Sequence, residues 1–293
     1  PGYDANNLKG TTAENRKNRA LLDVYEPGST FKIFTFAAAL EAGAISESEL
    51  FNCGGMIKIF GDQFVIKCHD LHGKQTYAEA FANSCNPVTI QIAMKLGRDK
   101  FYEFIKKAGF GSPTNILPNA GESGGILREP RRWSALSLPS MSMGQEIGVN
   151  GVQLISAASA VLNDGVMMKP LLVTALEDSN SKTIRKFEIE PFVKLFSRET
   201  AEKMKKSLKK VVTTGTGKRS AVEGYEILGK TGTSQKSGGR AYEAGKYFSS
   251  YLGFINEPHF KLSILVVINE PQLPAGAKDV HGGTVAAPAF KNV

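Results

Sequence analysis

Two residues at the start of one segment have the types and spacing of a nucleophile and its base. They are the serine and the lysine of Ser29-Thr30-Phe31-Lys32. Side chains three residues apart lie on the same face of a helix, so the Ser29 hydroxyl and the Lys32 amine can come into contact. A neutral lysine can take the serine proton when burial or a second cation lowers the lysine pKa. The pair therefore indicates acyl transfer through Ser29.

The same spacing occurs at two other places, and the surrounding sequence separates the three. Ser179 and Lys182 lie in a polar stretch that is typical of an exposed loop. Ser207 and Lys210 lie inside a basic helical pattern, away from its start. Only at Ser29 does the pair open a helix, directly after a Pro-Gly turn, where N–H groups can stabilise an anionic intermediate.

A second polar group is Ser84-Cys85-Asn86, directly before Pro87. A hydroxyl within reach of the lysines can relay a proton to a leaving group, and an amide can hold Lys32 or a substrate backbone. The same residues also fit an ordinary Asn-Pro turn. Taken alone, this segment leaves both interpretations open.

A third group is Lys230-Thr231-Gly232-Thr233, which follows a strand-like segment. Gly232 has no side chain, which allows another backbone to come close. An edge strand of this kind can pair with an extended peptide, while Lys230 and the two threonine hydroxyls bind a terminal carboxylate. An ordinary loop remains the alternative when the motif is judged alone.

Apolar periodicity and turn residues predict the elements that position these groups. A hairpin is expected at 56–60 and 63–67, with its turn at Gly61-Asp62. Strands are expected at 226–230, 247–255 and 261–268, and helices at 29–43, 77–82, 87–96, 100–108, 151–163 and 197–212. Helices in the middle and antiparallel strands near the end indicate a mixed α/β fold.

Composition narrows the function classes. The chain has 293 residues, of which 42% are hydrophobic and 22% charged, as in ordinary globular proteins, and it has no apolar run long enough for a membrane span. The net charge is +8, but the densest basic run, 203–210, alternates with Met204 and Leu208 at helical spacing. The lysines are therefore expected on a solvated helix face, and no nucleic-acid partner is expected.

The three motifs together, in this order, resemble the transpeptidase domain of class B penicillin-binding proteins; class A β-lactamases share this motif set. The likeness continues through residues 19–32, 229–234 and 281–288 and through Met143-Gly144-Gln145-Glu146. The resemblance implies the penicillin-binding fold, in which helices flank an antiparallel sheet. It also implies one transpeptidase domain over 1–293, truncated at both ends, with an all-helical subdomain at about 44–160.

The resemblance also implies a role for each catalytic residue. Ser29 would attack the carbonyl between the last two D-alanines of a peptidoglycan stem peptide and form an acyl-enzyme. Lys32 would act as the base, and Ser84 and Lys230 would pass the proton to the departing D-alanine. Asn86 would orient Lys32 and the substrate amide.

Substrate binding is implied for the third motif. Thr231 and Thr233 would hold the carboxylate beside Gly232, and the backbone N–H groups of Ser29 and Thr233 would form the oxyanion hole. An amine from a neighbouring stem peptide would complete the cross-link, and β-lactam antibiotics would trap Ser29 as an ester.

Further expectations come from the family. It implies a glycan polymerase and division or sporulation machinery as partners of the full-length protein, and a membrane anchor outside this chain with the catalytic domain on the extracytoplasmic side. Asn86 in the second motif resembles division or sporulation enzymes, since the elongation type carries Asp there. No cofactor and no metal are expected.

Two other functions remain as alternatives. A serine β-lactamase must activate water, in class A with a Glu four residues before an Asn, and Glu146 and Asn150 have that spacing. They fall, however, in a run that resembles the start of a penicillin-binding-protein helix. A β-lactam sensor would keep the fold and become acylated without cross-linking.

The three cysteines allow several states. Cys53 and Cys68 flank the predicted hairpin, so a disulfide between them is possible in an extracytoplasmic setting. The run Cys68-His69-Asp70-Leu71-His72 could also bind zinc with Cys53, but no second tight ligand pair matches a structural site. Free thiols are the expectation, and the odd count leaves Cys85 unpaired.

Overall fold

The computed structural model describes residues 3–4, 6–61, 63–117, 121–239, 242–272 and 279–293. Polar side chains cap the first turn of some helices: Thr76 and Glu79 form a capping box, as do Asn150 and Gln153. The α-helices are α1 (Arg19–Leu22), α2 (Lys32–Glu41), α3 (Tyr77–Ala82), α4 (Asn86–Leu96), α5 (Arg98–Lys107), α6 (Ser137–Ser142), α7 (Gly151–Ser159), α8 (Arg198–Thr213) and α9 (Ala286–Lys291).

The strands form one three-stranded sheet and four two-stranded pairs within the described residues. They are β1 (Leu50–Cys53), β2 (Met56–Ile59), β3 (Phe64–Lys67), β4 (Gly73–Thr76), β5 (Val166–Met168), β6 (Ala175–Glu177), β7 (Thr183–Lys186), β8 (Pro191–Lys194), β9 (Ile227–Ser237), β10 (Tyr242–Asn256) and β11 (Lys261–Asn269). The small pairs are β1 with β4, β2 with β3, β5 with β8 and β6 with β7.

The three-stranded sheet is antiparallel in the order β11-β10-β9. In its central strand, Tyr251, Leu252 and Phe254 are inaccessible to solvent. Strand β9, which carries the third motif, pairs with β10 on one side only. The edge-strand position expected for Lys230-Thr231-Gly232-Thr233 is therefore confirmed.

One hydrophobic core joins the helices to this sheet, because Leu228, Leu252 and Phe254 belong to the same buried cluster as α2. Aromatic rings anchor the start of α2. The ring centroids of Phe31 and Phe34 lie 5.1 Å and 4.9 Å from that of Phe110. Such tilted aromatic contacts fix the orientation of the turn that precedes α2.

The expected mixed fold with an antiparallel sheet flanked by helices is confirmed. Region 44–160 contains helices α3 to α7 but also β1 to β4, so it is not purely helical. Helix α6, the β5–β8 and β6–β7 pairs and the helix from Ala286 were not expected. Asp62, half of the predicted hairpin turn, lies outside the described residues, and the division of the chain near 44 and 160 stays a prediction.

The basic run behaves as its periodicity predicts. Ala201, Met204 and Leu208 of α8 are buried, while Lys203 pairs with Glu199 at 2.7 Å on the outer face. In the described parts of the chain, no helix has both the length and the hydropathy needed to cross a bilayer.

Candidate active site

The nucleophile candidate lies on a tight turn rather than in a regular α-helix. Residues Gly28–Phe31 form a 3₁₀ turn that continues directly into α2 at Lys32. The Thr30 hydroxyl donates to the Pro27 carbonyl at 2.8 Å and fixes this turn. Ser29 is half-buried and lines a cleft of about 490 Å³, whereas its neighbours Thr30 and Phe31 are fully buried.

Lys32 is completely buried, and its ammonium group connects the first motif to the second. It donates to the Asn86 side-chain oxygen at 2.6 Å, to the Ser84 carbonyl at 2.6 Å and to the Ser84 hydroxyl at 3.3 Å. Within the described part of the chain, no hydrogen bond joins Lys32 to the Ser29 hydroxyl. The expected contact between Asn86 and Lys32 is thus present, and an orienting role of Asn86 stays a prediction.

Lys230 reaches the same hydroxyl from the opposite side. Its ammonium donates to Ser84 Oγ at 2.9 Å and to the Thr231 carbonyl at 3.2 Å, and it lies 5.7 Å from the centroid of the Phe81 ring. Ser84 thus stands between two buried ammonium groups. Its backbone adopts a left-handed conformation, with φ of 54°. Non-glycine residues in this conformation are uncommon and often belong to functional sites.

Burial changes the acid–base behaviour of both lysines. Loss of solvent lowers the pKa of Lys32 to about 8. Burial, and then repulsion from the Lys32 charge, lowers the pKa of Lys230 well below its usual value. A charged ammonium is disfavoured in a dry interior and beside another cation. One of these lysines can therefore hold its amine neutral near physiological pH and accept a proton.

Strand β9 touches the nucleophile turn through two glycines. A Cβ atom on Gly232 would lie 3.0 Å from the Pro27 carbonyl oxygen, and one on Gly28 would lie 2.7 Å from the Thr233 carbonyl oxygen. Real side chains do not tolerate the second distance, and Gly28 also has a φ of +55°. The close approach expected at Gly232 is confirmed.

The hydroxyl groups of the third motif leave two hydrogens free to donate into the cleft, one on Thr233 and one on either Thr231 or Thr216. Thr231 Oγ1 and Thr216 Oγ1 lie 2.7 Å apart, so that bond uses one of their two hydrogens. Thr233 Oγ1 accepts from the Gly282 N–H at 3.0 Å and keeps its own hydrogen. Thr231 and Thr233 line the cleft together with Ser29. A carboxylate placed there can accept from Thr233 and from whichever of Thr231 and Thr216 keeps its hydrogen.

Several cleft residues had no role in the sequence interpretation. Thr216, Lys218 and Arg219 come from the loop after α8, while His281 and Gly282 come from the segment before α9. The two cationic side chains add positive charge beside the threonine hydroxyls. The sequence shows glycines at 215 and 217 and a distinctive segment at 281–284. It does not indicate which cleft these residues face.

The look-alike pairs lie elsewhere. Ser207 donates to the Lys203 carbonyl at 3.0 Å inside α8, and Ser179 lies exposed between β6 and β7. The Glu146 carboxylate accepts from Ser137 at 2.8 Å and also pairs with Arg128. Neither look-alike pair, nor Glu146, is among the described residues that line the Ser29 cleft.

Asn150, the other half of the β-lactamase-like pair, is fully buried and has a structural role. Its side chain caps α7 by accepting from the Gln153 N–H at 2.8 Å, and it donates to the Ser123 carbonyl at 2.7 Å. The Glu146 and Asn150 spacing therefore does not form a water-activating pair at Ser29.

Behind the second motif, four side chains of metal-binding types lie together. The ligand atoms of Cys53, Cys68, His72 and Cys85 all lie within 4.8 Å of one another. All three cysteines are free thiols. The possible disulfide between Cys53 and Cys68 is not formed, and Cys85, set aside as unpaired in the sequence, belongs to the same cluster.

The sequence matches the family model for the penicillin binding protein transpeptidase domain over residues 1–293. Similar curated proteins include stage V sporulation protein D of Bacillus subtilis, 34% identical over 279 residues, or 94% of this chain and 42% of that protein. The probable peptidoglycan D,D-transpeptidase PenA of Neisseria gonorrhoeae is 31% identical over 300 residues, which cover 100% of this chain and 47% of PenA. The chain thus spans less than half the length of these relatives.

Solved structures show the same fold. Penicillin-binding protein 3 from Mycobacterium tuberculosis in complex with aztreonam matches with a TM-score of 0.83 at 26% identity, covering 94% of this chain and 62% of that one. The transpeptidase domain of penicillin-binding protein 3 from Burkholderia pseudomallei matches with a TM-score of 0.81 at 28% identity, covering 94% and 79%. Because the family model matches the chain over residues 1–293, the chain belongs to the penicillin-binding protein transpeptidase domain family.

Proposed function

We propose that this chain is a serine D,D-transpeptidase that cross-links peptidoglycan stem peptides through an acyl-enzyme on Ser29. The observation that carries the proposal is the position of the Ser84 hydroxyl, within hydrogen-bond distance of both Lys32 and Lys230 at the cleft that Ser29 lines. One hydroxyl between two buried amines provides a path for a proton from a nucleophile to a leaving group.

In the first half of the reaction, the Ser29 oxygen attacks the carbonyl between the two terminal D-alanines while neutral Lys32 takes its proton. Backbone N–H groups of Ser29 and Thr233 stabilise the tetrahedral oxyanion, and each such donor contributes roughly 3 kcal/mol in other acyl-transfer enzymes. The proton then moves through Ser84 and Lys230 to the amine of the departing D-alanine. The carbon–nitrogen bond breaks and the ester on Ser29 remains.

In the second half, an amine from a neighbouring stem peptide attacks the ester and loses its proton through the same groups, and Ser29 regains its hydrogen. Thr231 and Thr233, with Lys218 and Arg219 nearby, hold the terminal carboxylate of the donor peptide. The exposed edge of β9 gives an extended peptide a strand to pair with. The name of PenA, a probable peptidoglycan D,D-transpeptidase, supports this activity.

The proposal extends to the setting in which the reaction occurs. Peptidoglycan lies outside the cytoplasmic membrane, so the domain acts on the extracytoplasmic side, held by an anchor in a part of the protein beyond this chain. Asn86 in the second motif and the similarity to a sporulation protein favour a division or sporulation role, with a glycan polymerase as partner.

The direct test is intact-mass analysis of the chain after incubation with penicillin, followed by peptide mapping. Opening of the β-lactam ring by Ser29 adds the whole mass of one penicillin per chain. Ser29→Ala should give no adduct, whereas Ser179→Ala, which changes the look-alike Ser-x-x-Lys pair, should react like the unmodified chain. An adduct on any residue other than Ser29 overturns the assignment.

A second assay separates a transpeptidase from a β-lactam sensor. The chain is supplied with a stem-peptide donor that ends in D-Ala-D-Ala and with an amine acceptor peptide. A transpeptidase releases D-alanine and forms the joined peptide in equal amounts. Acylation by penicillin without any joined peptide would support the sensor instead.

A further inference from the structure

Four side chains behind the second motif form a compact cluster with the composition of a zinc site. They are Cys53 from the end of β1, Cys68 directly after β3, His72 just before β4, and Cys85 at the start of α4. Cys53 and Cys85 are completely buried, while Cys68 and His72 are half-buried. Three thiolates and one imidazole are a ligand set that structural zinc sites use.

The distances between these atoms agree with the edges of a tetrahedron around zinc. With Zn–S bonds of about 2.3 Å, two sulfur ligands lie about 3.8 Å apart, and a sulfur and a nitrogen lie about 3.5 Å apart. The Sγ atoms of Cys68 and Cys85 are 3.8 Å apart. Cys68 Sγ and His72 Nδ1 are 3.6 Å apart. The most distant pair of the four, at no more than 4.8 Å, needs a shift of only about 1 Å.

The same distances argue against a disulfide. A disulfide has a sulfur–sulfur length of about 2.05 Å, so closing one between Cys68 and Cys85 would remove two ligands and leave Cys53 as a buried thiol. Cys53 Sγ instead lies 3.7 Å from the Asp70 carbonyl oxygen, in the short loop that also carries Cys68 and His72. Four ligands from three separate segments, a strand end, a loop and a helix start, meet at one point, which is an arrangement that a structural ion holds together.

We propose that Cys53, Cys68, His72 and Cys85 bind a structural zinc ion. Soft thiolate ligands in a tetrahedral set favour zinc over hard ions such as magnesium or calcium. Four protein ligands leave no open coordination position, so this ion would hold the fold rather than activate water. On binding, the thiols release their protons to solvent, and the imidazole coordinates in its neutral form.

The ion has a consequence for the active site because Cys85 lies between Ser84 and Asn86. Both neighbours contact the Lys32 ammonium, Asn86 at 2.6 Å and Ser84 Oγ at 3.3 Å. On the other side, the Asn86 amide donates weakly to the Lys67 carbonyl, beside Cys68, at 3.4 Å. Zinc would therefore fix the second motif to the β2–β3 hairpin. Ser84 and Asn86 would thus be positioned through the ion, while the ion itself would not touch the substrate.

The first experiment measures metal content directly. The chain is purified under reducing conditions in zinc-containing medium, dialysed against metal-free buffer, and analysed by elemental mass spectrometry. We expect about one zinc per chain. His72→Ala and Cys85→Ser should lose it, His72→Cys should retain it as a Cys₄ site, and His259→Ala, which removes an exposed histidine elsewhere, should have no effect.

The second experiment uses cobalt in place of zinc, so that the ligands can be identified by their spectrum. Tetrahedral cobalt bound by thiolates should give intense visible bands and near-ultraviolet sulfur-to-cobalt transitions, and these should weaken in Cys53→Ser. This readout depends neither on transpeptidation nor on acylation. It therefore distinguishes failure of the zinc proposal from failure of the proposed function.

The third measurement tests the positioning role. Removing zinc with a chelator should slow penicillin acylation of Ser29 at least about tenfold, since a misplacement of catalytic groups by 1 Å typically costs about a hundredfold. Adding zinc back should restore the rate. Less than about a tenth of a zinc per chain, with all three thiols free, overturns the proposal, as does a Cys68–Cys85 disulfide whose reduction yields no metal uptake.

Discussion

Two buried lysines that share one hydroxyl are the central feature at the scale of single residues. Each ammonium is fully removed from solvent, and each lies within 3.3 Å of Ser84 Oγ. Keeping both lysine amines in the charged form is unfavourable, so near neutral pH the two amines together carry a charge below +2. Because the groups interact, they titrate as a pair, and kinetics report an apparent value for the whole site.

The pH dependence of acylation follows from this. Lys32 must be neutral to accept the Ser29 proton, and burial lowers its pKa to about 8. The rate constant for penicillin acylation should therefore rise about tenfold per pH unit below that value and level off above it. Stopped-flow measurements between pH 6 and pH 10 provide the check.

The control for this profile is Lys209→Met. Lys209 is an exposed lysine that pairs with Glu226 at 2.7 Å, far from the Ser84 hydrogen bonds, and its removal should leave the profile unchanged. Lys32→Met should abolish the rising limb. A flat profile from pH 6 to pH 9 in the unmodified chain would mean that another group takes the proton.

The role of the Ser84 hydroxyl can be separated from that of its unusual backbone. Ser84→Ala and Ser84→Gly both remove the hydroxyl between the two lysines, and both should slow acylation by about 10² to 10⁴. Glycine adopts a φ of 54° without strain, so Ser84→Gly should be more stable than Ser84→Ala by about 1 kcal/mol. Thermal unfolding and acylation kinetics of the two variants test this.

The two variants act as controls for each other. Equal and large losses of rate with different stabilities would assign catalysis to the hydroxyl and strain to the backbone. If Ser84→Gly acylates at the rate of the unmodified chain, the hydroxyl relays no proton.

At the residue scale, spacing predicted which groups share a turn, but not their hydrogen bonds: among the described residues Lys32 donates to Ser84 and Asn86 and not to Ser29. Ser29 and Lys32 are three residues apart, so any helical turn brings them to one face. Cys85 was assigned no partner because the odd number of cysteines left it unpaired, and its neighbours in space, Cys53 and Cys68, are distant in the sequence. No periodicity reports that a helix start, a strand end and a loop converge, so the four-ligand cluster required the folded structure.

At the scale of elements, the site depends on the contact between the Ser29 turn and the edge strand β9. Gly232 lies against the Pro27 carbonyl and the Thr30 side chain, while Ser234 of the same strand donates to the Glu26 carbonyl at 2.6 Å. Strand and turn are thus held at two points on either side of Thr233. The distance between Ser29 and the threonine hydroxyls is set by this contact.

Adding one methyl group at Gly232 should disturb the contact. In Gly232→Ala, the new Cβ would clash first with the Ser250 side-chain oxygen on β10, and it would also lie 2.9 Å from Thr30 Cγ2 and 3.0 Å from the Pro27 oxygen. The Ser250 hydroxyl can rotate, but the Pro27 backbone cannot, so β9 must shift relative to the turn. Overpacking of this kind costs about 1–3 kcal/mol. We expect lower stability in chemical denaturation and slower penicillin acylation than in the unmodified chain.

Gly54→Ala is the matched control, because a Cβ at Gly54 meets no atom within 4 Å and its backbone is not left-handed. It should change neither stability nor acylation by more than the error of measurement. If Gly232→Ala behaves in the same way, the contact between strand and turn does not position the threonines.

Elements with strong periodicity were predicted closely, and short ones were not. Helix α8 was expected at 197–212 and runs over Arg198–Thr213, because four buried apolar residues at helical spacing define it. Strands β5 to β8 have three or four residues each and are largely exposed. Such strands carry no alternating pattern, and their pairing comes from tertiary contacts that composition does not encode.

At the scale of the whole molecule, the arrangement of side chains separates cross-linking from β-lactam hydrolysis. A hydrolase needs a base that activates water on the acyl-enzyme. Glu146 accepts hydrogen bonds from Ser137 and Arg128, and Asn150 caps α7, so neither is available at Ser29. Asp279 is the acidic side chain that lines the cleft, and its carboxylate already accepts from the His281 N–H at 3.0 Å and the Thr284 hydroxyl at 2.8 Å.

The acyl-enzyme should therefore persist. With nitrocefin in excess, we expect a single burst of about one product per chain, followed by turnover over minutes to hours, because Glu146, the carboxylate that would activate water in a class A enzyme, is not among the described residues that line the cleft. Glu146→Gln should leave both the burst and the slow phase unchanged, whereas a class A-type hydrolase would lose its turnover with that change. Sustained turnover within seconds, sensitive to Glu146, would assign the chain to the hydrolases despite its family.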